Sequence, residues 1–433
     1  MAMLDPHTEA DRVAVLAQFL VAFGSVLNRG PHCVVESDVH ACNLFLALVG
    51  ESSRARKGTS WGHIRRLFRL VDDAWEASRV ATGLSSGEGL IWAVRDPIEK
   101  QQPIKQSGRV TGYEPLIVDA GETDKRLLVI ESEFSSALKV MGRDGNTLSP
   151  IIRAAWDTDN LRSLTKNSPA HAVGAHISLI GHITRQELRR DLTATDMANG
   201  FGNRFLWLAV RRSKALPEGG HLDESQFKAF AGRVATVVAR ARQVREMLRD
   251  EQARELWADA YLQLSEGRPG LLGAVTSRAE AQVTRLSLIY ALLDQSPAIG
   301  VRHLRPALAL WDYCDRSARH IFGEAAEESQ EDSDRRTLIE VIEGRGGSVT
   351  AAELAKSGPR RLRGNSDAAD LALQELAGLG LGTWQDVPPG PGGGRPTRQF
   401  CLTPDSGADS KRVSSAVDSG VKFPLRQIGG GRG

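Results

Sequence analysis

The chain has 433 residues, 41% hydrophobic and 25% charged, with 55 Lys and Arg against 53 Asp and Glu and a formal net charge of +2. That size allows two or three domains with sizeable cores, and the composition is ordinary for a soluble globular chain, which excludes collagenous and wholly disordered classes. The near-neutral balance leaves nucleic-acid contacts to local patches, and four scattered cysteines (Cys33, Cys42, Cys314, Cys401) with no C-x-x-C pair exclude a zinc ribbon or a disulfide framework.

The N-terminal MAMLDPHTEADR is polar and acidic, unlike a secretory leader, and no run reaches 18 apolar residues. The expectation is a cytoplasmic protein with no membrane partner. Residues 8–29 predict an amphipathic helix, with Val13, Leu16, Phe19, Leu20, Phe23 and Leu27 at helical spacing and Gly30-Pro31 as its stop. CVVES and ACNLFLALVG then predict two neighbouring strands, the second feeding a loop and a helix that runs to about Ala81.

That junction, NLFLALVGESSRARKGTS over residues 43–60, has the layout of a phosphate-binding loop: apolar strand, Gly50, basic loop, Lys57, hydroxyl, helix. Backbone N–H groups and the helix N-terminus would hold phosphate oxygens, Lys57 would neutralise the β/γ charge, and a hydroxyl would reach Mg²⁺. The spacing departs from G-x-x-x-x-G-K-[ST]. Gly50 lies seven residues before Lys57, Arg56 occupies the second-glycine position, and Gly58 separates Lys57 from Thr59. Thr59 is favoured over Ser60 as the metal hydroxyl, Arg54 and Arg56 are further phosphate candidates, and a ligand-free basic turn is the alternative.

Residues 82–95 predict a glycine-rich turn and a short helix starting near Ser85, Ser86 and Glu88. Residues 96–124 are polar, broken by Pro and Gly, and predict an insert or surface excursion. Leu127 to Ile130 form a second buried strand ending in Glu131-Ser132-Glu133, acids at the C-terminal edge of a parallel sheet. One acid would serve the metal shell and the other would orient water, without an assignment between them. Short helices over 134–142 and IIRAAWDT follow, then a loop or hairpin. HISLIGHIT is a third buried strand, and Thr184 or His182 at its end could sense the γ-phosphate or the attacking water. His171, His176 and His182 lack metal-ligand spacing. Arg204, in NGFGNRFLW before the strand FLWLAV, is a candidate arginine finger toward a neighbouring subunit's nucleotide. Strands alternating with helices predict an α/β parallel sheet.

Residues 223–323 predict a helical lid, in which Arg278 and Arg285 share a helix face, toward a γ-phosphate or toward solvent. An acidic linker covers 324–334. Three helices and a β-hairpin over 335–403 predict a winged helix, with Arg360, Arg361 and Arg363 before its third helix and Arg395 and Arg398 in its wing as candidates for DNA phosphates and groove. The net charge of that segment is only +2, which keeps a protein partner open. Residues 404–433 predict a disordered tail.

With its parts in this order, the chain resembles a family of helicase-like P-loop ATPases of phages, plasmids and integrated elements, which occur fused to or beside primase-polymerases. The resembling stretches are VGESSRARKGTS, SSGEGLIWAVRD, KRLLVIESEF, GNTLSPIIRAAWD, LTKNSPAHAVGAHISLIGHIT and NGFGNRFLWLAVRRSKALPEGG, together about residues 43–220. The resemblance implies a RecA/AAA+-like P-loop core over 1–222, with ATP and Mg²⁺ as cofactors and Lys57, Thr59, Glu131, Glu133 and Arg204 as site positions. It further implies a homo-oligomeric ring on single-stranded or forked DNA, with the winged helix on duplex, in replication of a mobile genetic element. A primase-polymerase is expected as a separate protein. The expected function is therefore an ATP-dependent DNA helicase or translocase. The alternatives are a nucleotide-regulated, non-motor DNA-binding initiator or regulator and, less in keeping with the lid and winged helix, a small-molecule kinase.

Overall fold

The computed structural model describes residues 2–51, 55–106, 108–164, 171–268, 270–327, 330–359, 362–387 and 397–403. Two compact units divide the chain at residues 326 and 327, and each is taken by itself.

The first unit is α/β, built on a five-stranded parallel sheet. Its strands are β1 (Phe45–Val49), β2 (Val80–Ala81), β3 (Arg126–Glu131), β4 (His176–Ile183) and β5 (Phe205–Ala209), in the spatial order β5-β1-β4-β3-β2. The apolar runs form strands because both faces of the sheet are covered. Leu46, Leu48, Leu128, Ile180 and Leu206 pack on one side, while Phe45, Ala47, Val129, Leu179 and Phe205 pack on the other. The register aligns Val49, Ile183 and Ala209 at one rim, where the strands end. Glu131 is level with Gly181, two residues below that rim.

On the first side lie α1 (Arg12–Val26), started by the Asp11 side chain on Val13 N, and α2 (Lys57–Val71). The helix expected to continue to Ala81 breaks at Asp72, whose side chain caps a second helix, Asp73–Arg79, leading into the two-residue β2. CVVES does not neighbour β1 in the sheet: His32–Val35 pairs with Asp38–Ala41 as a separate antiparallel ribbon. Residues 161–162 and 171–172 pair as a short hairpin.

The helices expected as a lid share the core of the sheet. Phe227, Val234, Val283, Leu286 and Ile289 belong to the same apolar cluster as α1 and Leu46. The long helix Val301–Glu327 covers the edge strand β5: Phe322 meets Trp207 edge-on at 5.2 Å and the Tyr313 hydroxyl donates to Ala209 O. Covering an edge strand in this way removes its unpaired backbone from solvent. The linker expected over 324–334 falls on the end of this helix and the start of the next, Gln330–Glu343.

The excursion at 96–124 is an ordered antiparallel ribbon, Ile98–Gln106 with Arg109–Asp119, paired only to itself. The second unit runs helix Gln330–Glu343, strand Ser348–Val349, helix Ala351–Ser357, helix Ser366–Gly378, then strands Gly382–Val387 and Thr397–Leu402 in one antiparallel sheet around Leu338, Ile342, Leu373 and Phe400. The expected capping box is present, Thr350 receiving Glu353 N and Glu353 reaching back. The tail over 404–433 lies outside the described residues. Among the described residues, no helix is long and apolar enough to cross a membrane.

Candidate functional site

The connection leaving β1 runs toward β2 and β3, and the connection leaving β4 runs back to β5. Their neighbouring ends therefore form a topological switch point, the crevice where open α/β sheets bind ligands. A cleft of about 1100 Å³ lies there, lined by Val49, Gly50 and Glu51 at the end of β1, Thr184 to Glu187 with Arg189 and Arg190 after β4, Val210 and Arg211 after β5, and Tyr313 and His320 of the covering helix. Arg185, Arg189, Arg190 and Arg211 line it together with Asp11, Glu51 and Glu187, and Arg190 donates to the Asp191 carboxylate from Nε and Nη2, so both signs of charge meet in a cleft of nucleotide size.

Gly50 is a steric requirement. A Cβ there would come within 2.4 Å of Val210 O and 2.9 Å of the Ala55 Cβ. Residues 52–54, and with them Arg54, lie outside the described residues. Arg56 precedes α2 with φ 52° and ψ 30°, the left-handed conformation that glycine adopts without penalty, and its Nε donates to Glu9 Oε2 at 2.7 Å. The side chain replacing the second glycine thus keeps a glycine's backbone and is tied to the N-terminal segment.

Lys57 opens α2 and is buried. Its Nζ donates to Gly50 O at 2.6 Å and to Glu51 O at 3.4 Å, so the ammonium is folded back onto the carbonyls that leave β1. Burial lowers its pKa below the ordinary lysine value, and the Glu187 carboxylate opposes that shift. Gly58 is exposed, with open space where a Cβ would be, and Thr59 is exposed beside it. Ser60 is fully buried. Its hydroxyl donates to Lys57 O at 2.6 Å and accepts from Gln18 Nε2. Of the two candidate metal hydroxyls, only Thr59 faces solvent, and Ser60 is a structural tie.

Gln18 completes a buried bridge. Its Nε2 donates to Ser60 and to Ala14 O, which leaves Oε1 to accept from His182 Nε2 at 3.3 Å. This network puts the His182 proton on Nε2. Burial, with Lys57 nearby, pushes the His182 pKa down to about 4. His182 therefore joins α1, β4 and α2 rather than opening onto the cleft. Thr184 does line the cleft, but it is also the cap of the helix Arg185–Asp191: its hydroxyl donates to Glu187 Oε2 at 2.8 Å and receives Glu187 N.

Glu131, the last residue of β3, and Glu133, just beyond it, differ. Glu131 is buried, and its Oε1 accepts from Gly83 N and Leu84 N, both at 2.7 Å. That ties the end of β3 to the turn after β2. Glu133 is exposed at the cap position of the helix Phe134–Met141 and makes no cap hydrogen bond.

Arg204 stands at the start of β5, roughly 15 Å of strand away from the rim. It is 6% exposed. Its Nη2 donates to Asp157 Oδ2 at 2.5 Å, and Arg278 Nη1 takes the other oxygen at 3.0 Å. Arg285 is neither solvated nor near the cleft. It is buried, donates to Asn43 O and Oδ1 and to Trp156 O, and stacks 3.7 Å from the Trp156 ring centre. Three arginines thus gather at the C-terminus of the helix Leu148–Asp157, where a helix dipole favours cations.

In the second unit, Arg363 is exposed and donates to Gly358 O, and Arg398 lies 4.7 Å over the Trp384 ring. Arg360, Arg361 and Arg395 lie outside the described residues. The third helix, Ser366–Gly378, contains no Lys or Arg and exposes Asp367, Leu371 and Glu375.

The structure thus brings Gly50, Lys57 and Thr184 to one rim, sets Glu131 below it, and puts Arg204 at the opposite edge. Sequence reasoning missed the cleft arginines Arg185, Arg189, Arg190 and Arg211 and the wall formed by Tyr313 and His320. The arginines had a readable signal, since each group follows directly on a buried strand. Tyr313 had none, because its position depends on a helix about 100 residues further along. No known family model matches the chain, and no curated protein is significantly similar to it.

Proposed function

We propose that this protein is a nucleotide-binding, RecA/AAA+-like P-loop ATPase that couples ATP hydrolysis to helicase-like or translocase-like action on DNA in the replication of a mobile element. The observation that carries this reading is the arginine-lined cleft at the switch point of β1 and β4, with Gly50 in its lining and Lys57 bonded to Gly50 O from the start of α2. The strand order β5-β1-β4-β3-β2 supports a core of that kind, because it sets β4 between the loop strand and the acid-tipped strand.

The residues fit the nucleotide. Lys57 donates to backbone carbonyls that a phosphate oxygen could replace, and Gly50 lets the loop pack closely on Val210 and Ala55. Thr59 and an acid of β3 would hold Mg²⁺, which would bring charge neutralisation at the phosphates. Of the acids, Glu133 is the better placed to orient water, since it is exposed while Glu131 is committed to two amides. Arg204 lies away from its own loop, and because it is buried and paired with Asp157 it would reach a second copy's nucleotide only if that pair opened. The order helix, strand, helix, helix, strand, strand in the second unit supports a winged helix. Its third helix lacks cations, so duplex contacts would fall to Arg363 and Arg398 at its flanks. A separate primase-polymerase remains the proposed source of priming.

The test is DNA-stimulated ATP hydrolysis by the full chain, abolished by Lys57→Ala. A second reading is a non-motor, nucleotide-regulated DNA-binding initiator. It is favoured by the engagement of Glu131 with Gly83 and Leu84, and it is distinguished by nucleotide binding without turnover.

A further inference from the structure

The ribbon Ile98–Gln106/Arg109–Asp119 has no role in the cleft. From Glu99 to Val118 every described residue except Gly112 is exposed, so the arm buries no core of its own, and two-stranded hairpins are marginal in water. Its base is nevertheless fixed. Arg95 grips Asp119 with two hydrogen bonds, at 2.9 and 3.0 Å, and stacks 4.1 Å from the Trp92 ring centre. Pro103 and Pro115 remove amide donors from its strands, which guards a free edge against strand addition. The arm is thus anchored, exposed and protected from pairing.

Its charge is uneven. Residues 100–113 hold Lys100, Lys105 and Arg109 and no carboxylate; Glu114 follows Tyr113 and pairs with Gln102, and Glu99 and Asp119 lie toward the base. Tyr113 is 66% exposed. It pairs with Pro103, and strand alternation puts Lys105 and its partner Val110 on the same face. Lys100, Gln102, Gln106 and Arg109 share the other face, with Glu114 opposite Gln102.

We propose that the distal half of this ribbon is a binding site for single-stranded nucleic acid. A base stacks on the Tyr113 ring, and Lys100, Lys105 and Arg109 neutralise phosphates, with the glutamine amides as sequence-tolerant partners. A solvent-facing aromatic with Lys105 on its own face, and with Lys100 and Arg109 across a ribbon only two strands wide, is the chemistry of single-strand platforms. A duplex offers no unstacked base to Tyr113, and an apolar protein surface would leave three cations without counter-charge. The proposal rests on the reading of this chain as one that acts on DNA, and it does not require nucleotide hydrolysis.

The experiment uses the full chain without nucleotide and a fluorescein-labelled 20-mer of deoxythymidine, with anisotropy read across a salt series. The expected result is binding that Tyr113→Ala weakens about fivefold or more. Joint replacement of Lys100, Lys105 and Arg109 by Ala weakens it at least tenfold and flattens the salt slope by about 2. A 20-base-pair duplex competes poorly, and both variants keep the circular dichroism of the wild type. Wild-type protein that ignores the 20-mer, variants that bind it unchanged, a duplex that competes equally well, or variants whose only change is in assembly state by light scattering would each overturn the proposal. Failure of nucleotide binding or hydrolysis would count against the ATPase reading alone, since this assay contains no nucleotide.

Discussion

Arg56 donates from Nε to Glu9 Oε2 at 2.7 Å while its own backbone is left-handed, φ 52°. Glu9 also receives Leu216 N at 2.6 Å and the guanidinium of Arg212, and the Leu216 amide leads the interactions that hold its pKa below the ordinary value. One carboxylate therefore gathers the N-terminal segment, the cap of the Lys57 helix and the stretch after β5. A left-handed L-residue carries a cost of about 1–2 kcal/mol, and the ion pair opposes it. Arg56→Gly is expected to leave the urea midpoint nearly unchanged, because relief of that cost offsets the loss of the pair and the flexibility of glycine. Arg56→Val, a branched side chain in the same conformation, is expected to lower it clearly. Glu9→Gln should lower the midpoint more in the wild type than in Arg56→Gly, and equal losses in the two backgrounds would contradict the coupling.

Gly50 and Gly58 flank the loop and predict opposite outcomes. Gly50→Ala forces a Cβ onto Val210 O and should both destabilise the chain and abolish nucleotide binding. Gly58→Ala meets open space inside the first turn of α2. It should stabilise by up to about 1 kcal/mol, the helix preference of Ala over Gly. Thermal unfolding of both variants checks this. Loss of nucleotide binding in a stable Gly58→Ala would mean that the ligand approaches Gly58 directly.

Acid sensitivity should come from buried histidines. His182 is held at about 4 and His176 at about 3, burial being the main cause in each. Unfolding frees each to titrate near 6.5, so between 6.5 and the folded value the unfolded chain binds more protons. Stability from this source is complete above pH 6.5 and is lost as pH falls toward 4. At about 1.4 kcal/mol per pKa unit, His182 alone accounts for about 3 kcal/mol by pH 4. Urea unfolding at pH 7 and pH 4.5 should show a smaller drop for His182→Gln than for the wild type. An identical drop would remove His182 as a source.

Arg278 and Arg285 both lie over the Trp156 ring, but Arg285 is buried and Arg278 is partly exposed. Arg285→Ala orphans Asn43 O and Trp156 O in the interior and should cost about 3 kcal/mol. Arg278→Ala gives up a partly exposed pair with Asp157 and should cost less than about 1 kcal/mol. Equilibrium unfolding distinguishes them.

How much could be read in advance depended on how local the cause was. Four of the five sheet strands were legible, because strands buried on both faces appear as continuous apolar runs such as LLVI and FLWLAV. Thr350 with Glu353 announced its capping box. Thr184 with Glu187 carried the same signature. β2 was hidden because two residues after a helix leave no pattern. The burial of Arg204 and Arg285 depends on Asp157 and Asn43, partners remote in sequence. Helical periodicity over 224–323 identified helices without revealing that their apolar faces close the same core as Leu46. The 98–119 ribbon alternates without an apolar face, so it read as an irregular excursion.

The central claim concerns Lys57, and the most direct measurement is the affinity of the full chain for a fluorescent ATP analogue with Mg²⁺, wild type against Lys57→Ala, with folding checked by circular dichroism. A nucleotide cleft at β1 and β4 predicts saturable wild-type binding that falls at least tenfold in a folded Lys57→Ala. Absence of wild-type binding, or equal affinity in the two proteins, would contradict it.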